Sequence, residues 1–199
     1  MKKLTRVEQK ENTRQGLIQE ALRLFSKNGI AVTTTAEVAK AMQISHGTVF
    51  IHFPTREDLI LGVVDSFGEQ LASALGSKFS SEMSLKQMLT AHLHVLSAFE
   101  DFYMRLISES PCLSPHIRGQ VFAMNSSLSY RFFRAAQALM KTGELKKIDQ
   151  VHFFNTWMAL LHYSIMNRDL LSEQTPILQH KGQDILRNFY SLISTKESK

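Results

Sequence analysis

Cysteine, proline and glycine are scarce in this chain of 199 residues, with one Cys, four Pro and nine Gly. With Cys112 alone, an internal disulfide is excluded and a reducing compartment is expected. All four prolines, Pro54, Pro111, Pro115 and Pro176, fall where helices would have to stop or start, so long uninterrupted helices are expected between them. No apolar run approaches the roughly 18 residues needed to span a membrane, and MKKLTRVEQKENTR lacks the apolar core of a signal peptide. A cytoplasmic protein is the expectation. Net charge is +5, and residues 1 to 62 carry nine Lys and Arg against six Asp and Glu. The excess is densest where phosphate binding would need it, although a solvated surface has the same balance.

The most informative stretch is TTTAEVAKAMQISHGTVFIHFPTRED, residues 33 to 58. Thr34 followed three residues later by Glu37 is a capping box and starts a helix able to bury Val38, Ala39 and Met42. The polar turn Gln43-Ile44-Ser45 ends it. Ser45 is then an N-cap for a second short helix, cut off before Pro54. Thr55 and Asp58 cap a further helix at once. Two short helices joined by a tight turn are the geometry of a helix-turn-helix, whose second helix enters the DNA major groove. Val49 and Phe53, four apart, would face the core, leaving His46, Gly47, Thr48, Phe50, Ile51 and His52 largely outward. Gly47 inside a helix costs about 1 kcal/mol relative to Ala. Either another backbone comes close to it, or it merely weakens a connecting helix.

The pattern T-T-x-x-E-V-A-x-x-x-x-I-S-x-G-T-V-F-x-H-F-P-T-R-E-D-L resembles the DNA-binding domain of the TetR family of bacterial transcriptional regulators. The resemblance covers residues 33 to 60. It implies that Thr34, Ser45, Phe50, His52 and Arg56 touch the DNA backbone, with Gly47, Thr48 and Ile51 close to base edges. Three positions depart from the usual pattern: His46 stands where Lys is common, Phe50 replaces a frequent Tyr, and Ile51 replaces an aromatic or His. Charge at His46 would then depend on pH, and Phe50 has no hydroxyl for a phosphate.

Around this stretch the periodicity is helical throughout. Met1 to Thr13 reads as a polar, frayed segment whose Lys2, Lys3, Arg6 and Lys10 form either a DNA-reaching arm or a solubilising tail. A first helix follows through Leu17, Ile18, Ala21, Leu22 and Phe25, closed by Gly29 in a left-handed conformation. A fourth helix runs from Thr55 to about Leu75, then a loop from Gly76 to the N-cap Ser84. Further helices are expected from Leu85, with a break near Glu100-Asp101, from Pro115 to Thr142-Gly143, from Gln150 to about Asn167, and from Thr175 to about Ser194.

The expected fold is all-α with about nine helices: an N-terminal three-helix bundle containing the helix-turn-helix, residues 1–55, and a helical ligand-binding and dimerisation domain, residues 56–199. The helix from Gln150 is apolar on more than one face, and a second copy of the chain could cover it. Phe154, Leu161, Ile165, Ile185, Phe189 and Leu192 are the candidate dimer contacts. The resemblance implies the same pairing of the last two helices. Phe99, Phe102, Tyr103, Phe122, Met124, Trp157, Met158 and His162 are candidate walls of a pocket for a small hydrophobic or aromatic effector, each of them equally readable as ordinary core.

No catalytic constellation stands out. His92 and His94 are two apart and do not share a helix face, and Asp149 with His152 is the lone carboxylate-x-x-His pair. No metal, cofactor or enzymatic activity is expected; Cys112 as an oxidant sensor remains open. The expected function is that of a homodimeric repressor binding a palindromic operator and released by its effector. The alternative is a DNA-bound dimer that docks a protein partner.

Overall fold

The structure, a computed structural model, describes residues 5–75 and 83–195. Lys2 and Lys3 of the expected arm, and most of the loop expected before Ser84, lie outside the described residues. Among those described there are ten α-helices and no strand. The chain divides into two compact units, Met1–Gly68 with Asp101–Val121, and Glu69–Glu100 with Phe122–Lys199.

The first unit opens on α1, Arg6–Asn28. This helix begins earlier than its apolar spacing suggests, because Thr5 and Glu8 form a capping box in which each side chain takes the other's backbone N–H. Leu17, Ile18, Ala21, Leu24 and Phe25 form its buried face. Gly29 ends it at φ 110°, ψ 151°, an extended positive-φ conformation open to glycine rather than the expected left-handed helical one. α2, Thr35–Ala41, and α3, His46–His52, follow. α4, Arg56–Ala74, starts where Thr55 and Asp58 exchange hydrogen bonds, and its residues 56–68 belong to this unit. Most of α6, Glu100–Ser108, and a single 3-10 turn, Ser110–Cys112, complete it with the start of α7, Pro115–Lys141. Phe67 packs edge-on to Phe102 at 5.7 Å and lies 5.8 Å from Tyr103, so α4 and α6 share an apolar core.

The second unit is built on α5, Leu85–Ala98, α8, Gln150–Met166, and α10, Ile177–Ile193, with α10 packed on both of the others. Phe132, Phe153, Trp157 and Phe189 are fully buried at its centre, each worth about 1.5–3 kcal/mol of apolar burial before the cost of ordering is subtracted. Polar groups sit in that core as well. The Trp157 indole N–H donates to His92 Nδ1 at 3.1 Å. Glu100 accepts from the backbone N–H groups of Ile177 and Leu178, both at 2.9 Å, and pairs with Arg168 at 3.3 Å. Glu100 thus caps α10 from a distance, since Pro176 at the N-cap position has no side-chain acceptor. The expected break falls one residue early, at Phe99, which ends α5. One element was not expected, the four-residue helix α9, Arg168–Leu171, which lacks the length for a periodic signal.

Candidate functional site

α2 and α3 are held by their caps. Thr34 Oγ1 accepts from the Glu37 N–H at 3.2 Å while Glu37 Oε2 accepts from the Thr34 N–H at 2.7 Å. Ser45 Oγ accepts from the Thr48 N–H at 3.1 Å and pairs with Thr48 Oγ1 at 2.8 Å. The turn between the helices needs Gln43 at φ 56°, a left-handed conformation that costs a residue with a Cβ about 1 kcal/mol. It is secured by backbone bonds from Gln43 to Lys40 and from Ile44 to Ala39, both 3.1 Å.

Val49 is fully buried, and Phe53, the extended residue that ends α3, is buried against α4. A Cβ at Gly62 would lie 2.8 Å from the Phe53 ring, so that glycine lets α4 come close, while the Arg14 guanidinium covers the ring at 4.9 Å. With that side fixed inward, Ile51 is left 69% exposed and Phe50 43% exposed. His46 is exposed, its Nε2 2.9 Å from Thr35 Oγ1 and its ring 4.7 Å from that of Phe50. Gly47 is exposed, and a Cβ there would meet only Ser45 Oγ at an ordinary 3.7 Å. The chain's own packing therefore does not require glycine at that position.

His52 is half-buried, and its Nδ1 is a buried atom without a hydrogen-bond partner. Burial, reinforced by Lys10 and Arg14, lowers its pKa from the ordinary histidine value, with Glu11 opposing. A neutral imidazole brings no charge to a phosphate. Lys10, a residue of the expected arm, and Arg14, four further along α1, are the cations beside it; for Arg14 that spacing is the sole sequence signal. Arg56 is committed elsewhere: Nε donates to the Thr33 carbonyl at 2.9 Å, and Nη2 donates to the carbonyls of Ala31, at 3.1 Å, and Ile30. Glu109 accepts from the Ala31 N–H at 2.6 Å in the same loop. No local pattern could have announced a contact between residues 78 positions apart.

The candidate dimer contacts need correcting. Phe154, Leu161, Ile165, Ile185 and Phe189 are buried within the single chain, where they fill the second unit's core; only Leu192, 51% exposed, is free for a partner. The apolar circumference of α8 is divided: one side is core, and the other carries Val151, Ala159, Tyr163 and Met166 outward. The candidate pocket walls are divided between the two units. Phe102 and Tyr103 pack in the first unit's core, Trp157 and Met158 are buried in the second unit, Phe99, Met124 and His162 are half-buried, and Phe122 is 73% exposed. A cavity of about 780 Å³ opens in the second unit, between the start of α5, the second half of α7 and Tyr190 of α10. Asp149 with His152 is an N-cap: Asp149 accepts from the His152 N–H at 2.9 Å. Among the described residues no cluster of His, Cys, Asp or Glu has metal-binding geometry, and no helix is long and apolar enough to cross a membrane.

Short capped helices, a tight turn between them and an outward apolar face on the second define a helix-turn-helix protein. Residues 17–63 match the model for bacterial regulatory proteins of the tetR family. The chain is 31% identical over 88 residues to an HTH-type transcriptional repressor of Mycobacterium tuberculosis, across 44% of this chain and 46% of that protein. It is 34% identical over 89 residues to the HTH-type transcriptional regulator TcmR of Streptomyces glaucescens, across 45% of this chain and 39% of that one. The matched part thus spans about half the length of these curated relatives or less. In fold it is similar to a TetR transcriptional regulator from Chloroflexus aurantiacus, with a TM-score of 0.73, 18% identity and coverage of 94% and 98% of the two chains. A protein from Saccharomonospora viridis solved in complex with choline gives a TM-score of 0.76 at 16% identity, covering 94% and 100%.

Proposed function

We propose that this chain is a homodimeric transcriptional repressor that binds a palindromic DNA operator through α3 and leaves it when a small hydrophobic ligand occupies the second unit. The observation that carries the DNA-binding part is the outward side of α3. A two-turn helix that exposes Ile51 and Phe50, beside a Gly47 with room for a side chain, has a surface out of keeping with water and in keeping with a groove wall. In this reading Ile51 and Thr48 face base edges, where the Ile51 side chain meets thymine methyl groups. Thr34, Ser45, His46, Phe50 and His52 lie along the phosphates, with Lys10 and Arg14 adding the charge that neutral His52 lacks. Arg56 acts indirectly, by fixing the loop before α2.

A second copy of the chain supplies the other half-site, and the outward side of α8, with Leu192 of α10, is the surface offered for pairing. Choline, the ligand in the Saccharomonospora viridis protein, is a cation. The cavity here carries Lys86, Arg131 and Arg134 against Glu144 and so favours the opposite charge.

Footprinting the protein on the DNA upstream of its own gene tests the reading. A protected region with two-fold symmetry is expected, and Thr48→Ala with Ile51→Ala should abolish selective protection while leaving the oligomeric state unchanged. Selective binding that survives the double substitution would mean that α3 does not read the bases.

A further inference from the structure

The cavity of the second unit has two kinds of wall. Its floor is apolar, from Leu85 and Met88 of α5 and Ala135 and Leu139 of α7, which recur on one face of each helix. Its margin is basic. Arg134 is exposed with its guanidinium 5.9 Å from the centre of the Tyr130 ring, and Lys86 is exposed on the first turn of α5. Arg131, also in the lining, donates to the Leu75 carbonyl. Glu144 is the one carboxylate among the described lining residues, and it accepts from the Thr142 hydroxyl at 2.7 Å. Tyr190 is held as a neutral phenol, burial raising its pKa to about 12, so it adds no negative charge at neutral pH. About 780 Å³ is ample for a drug-sized molecule, typical sites running from about 300 to 1,000 Å³.

We infer that this cavity binds a single-chain amphiphile with an anionic head, the tail lying on Leu85, Met88 and Leu139 and the head held by Arg134 and Lys86. An apolar ligand without charge would leave two cations unused at the mouth. A cationic ligand would be repelled by them. The inference rests on the proposed ligand-controlled reading for its biological sense, but the site is defined by the second unit alone.

The test uses the full chain and four probes with the same tail, below their micelle concentrations: dodecanoate, dodecyl phosphate, dodecanol and dodecyltrimethylammonium. Calorimetric titration is expected to show dodecanoate or dodecyl phosphate binding at least about ten-fold more tightly than dodecanol, the worth of one charged hydrogen bond, with the cation weakest. The two anions separate carboxylate from phosphate recognition. Arg134→Gln and Lys86→Gln, both surface changes, should each remove most of the anion's advantage and leave dodecanol unaffected. Ala138→Trp, at an exposed lining position, should block all probes. Equal binding of dodecanol and both anions, anion binding unchanged in Arg134→Gln and Lys86→Gln, or binding that survives Ala138→Trp would each overturn the site. Operator affinity is measured separately. Anion binding through Arg134 that leaves the operator complex intact upholds the site and removes ligand release from the proposed function; release by another compound with no anion binding does the reverse.

Discussion

In each unit a charged side chain reaches far along the sequence to several backbone groups at once, and Arg56 and Glu100, which do so, are opposite in sign. In the first unit Arg56 gives its N–H groups to three carbonyls between Ile30 and Thr33, in the loop that leads into α2. In the second, Glu100 takes the N–H groups of Ile177 and Leu178 at the start of α10. Arg56 is half-buried and water can replace part of what it does; Glu100 is 2% exposed and nothing can. The loop beside a reading helix is thus held by a contact that can be loosened at moderate cost, while the helix that closes the second unit is held by one that cannot.

Removing Glu100 should therefore have the largest effect. Glu100→Ala orphans two buried N–H groups and removes the buried carboxylate's pairing with Arg168, and a loss of about 3–5 kcal/mol is expected from such a site. Denaturant unfolding of the second unit, followed by Trp157 fluorescence, measures it. A loss below about 1 kcal/mol would mean that the start of α10 is solvated after all.

Arg56→Ala should cost less, about 2–3 kcal/mol, because the freed carbonyls can turn to water. Its operator affinity should fall with the loosening of the loop before α2, and Arg56→Lys should recover only part of either loss, since an ammonium cannot spread over three carbonyls as a guanidinium does. Full recovery by Lys would indicate that charge alone matters there, as a direct phosphate contact requires.

The third contrast is in pH. His92 is wholly enclosed, with burial first and His162 second lowering its pKa to about 3. Its unfolded value is near 6.5, so below that pH the unfolded chain takes up a proton that the folded chain refuses. The second unit should lose stability as pH falls from 6.5, by up to about 1.4 kcal/mol per pH unit, and should be insensitive to this group above it. His162, whose pKa burial also lowers, acts in the same direction. Measurement between pH 6.5 and 5 keeps most carboxylates ionised, and His92→Gln, which still offers Trp157 an acceptor, should flatten the slope. A slope unchanged by His92→Gln would assign the acid sensitivity to other groups.

The caps were legible in the sequence because each is a local pattern: Thr34 with Glu37, Ser45, Thr55 with Asp58, and Ser84 all stand where the helices begin. So was the inward face of α3, since Val49 and Phe53 lie four apart. What could not be read was anything that spans the chain. The family resemblance implies a phosphate contact for Arg56, and nothing near it in sequence points to the three carbonyls it reaches. Phe154, Leu161 and Phe189 looked like partner contacts because helical periodicity marks a residue as apolar without saying which of two apolar sides meets its own chain. The cavity is hard to read for a related reason: its walls mix Arg131, Arg134, Lys86 and alanines, whereas methionine and aromatic residues with few charges are what mark a pocket in sequence.

The start of α1 differs from these, because its signal was local and still passed over. Thr5-Arg6-Val7-Glu8 has the spacing of the box at Thr34, yet the segment around it is polar and has no apolar period to point to it. The cap alone holds the first turns, which bury almost nothing. Thr5→Ala should cost about 1 kcal/mol of local helix stability and leave the global unfolding midpoint within about 0.5 kcal/mol of its original value. Amide exchange of residues 6–10 should rise several-fold, while that of Leu17 to Phe25 stays unchanged. Because Lys10 lies at the end of this stretch and Arg14 beyond it, operator affinity should fall slightly, through Lys10 alone. If exchange rises along the whole helix, the buried face of α1 depends on its first turn and the contrast between capped and packed segments fails there.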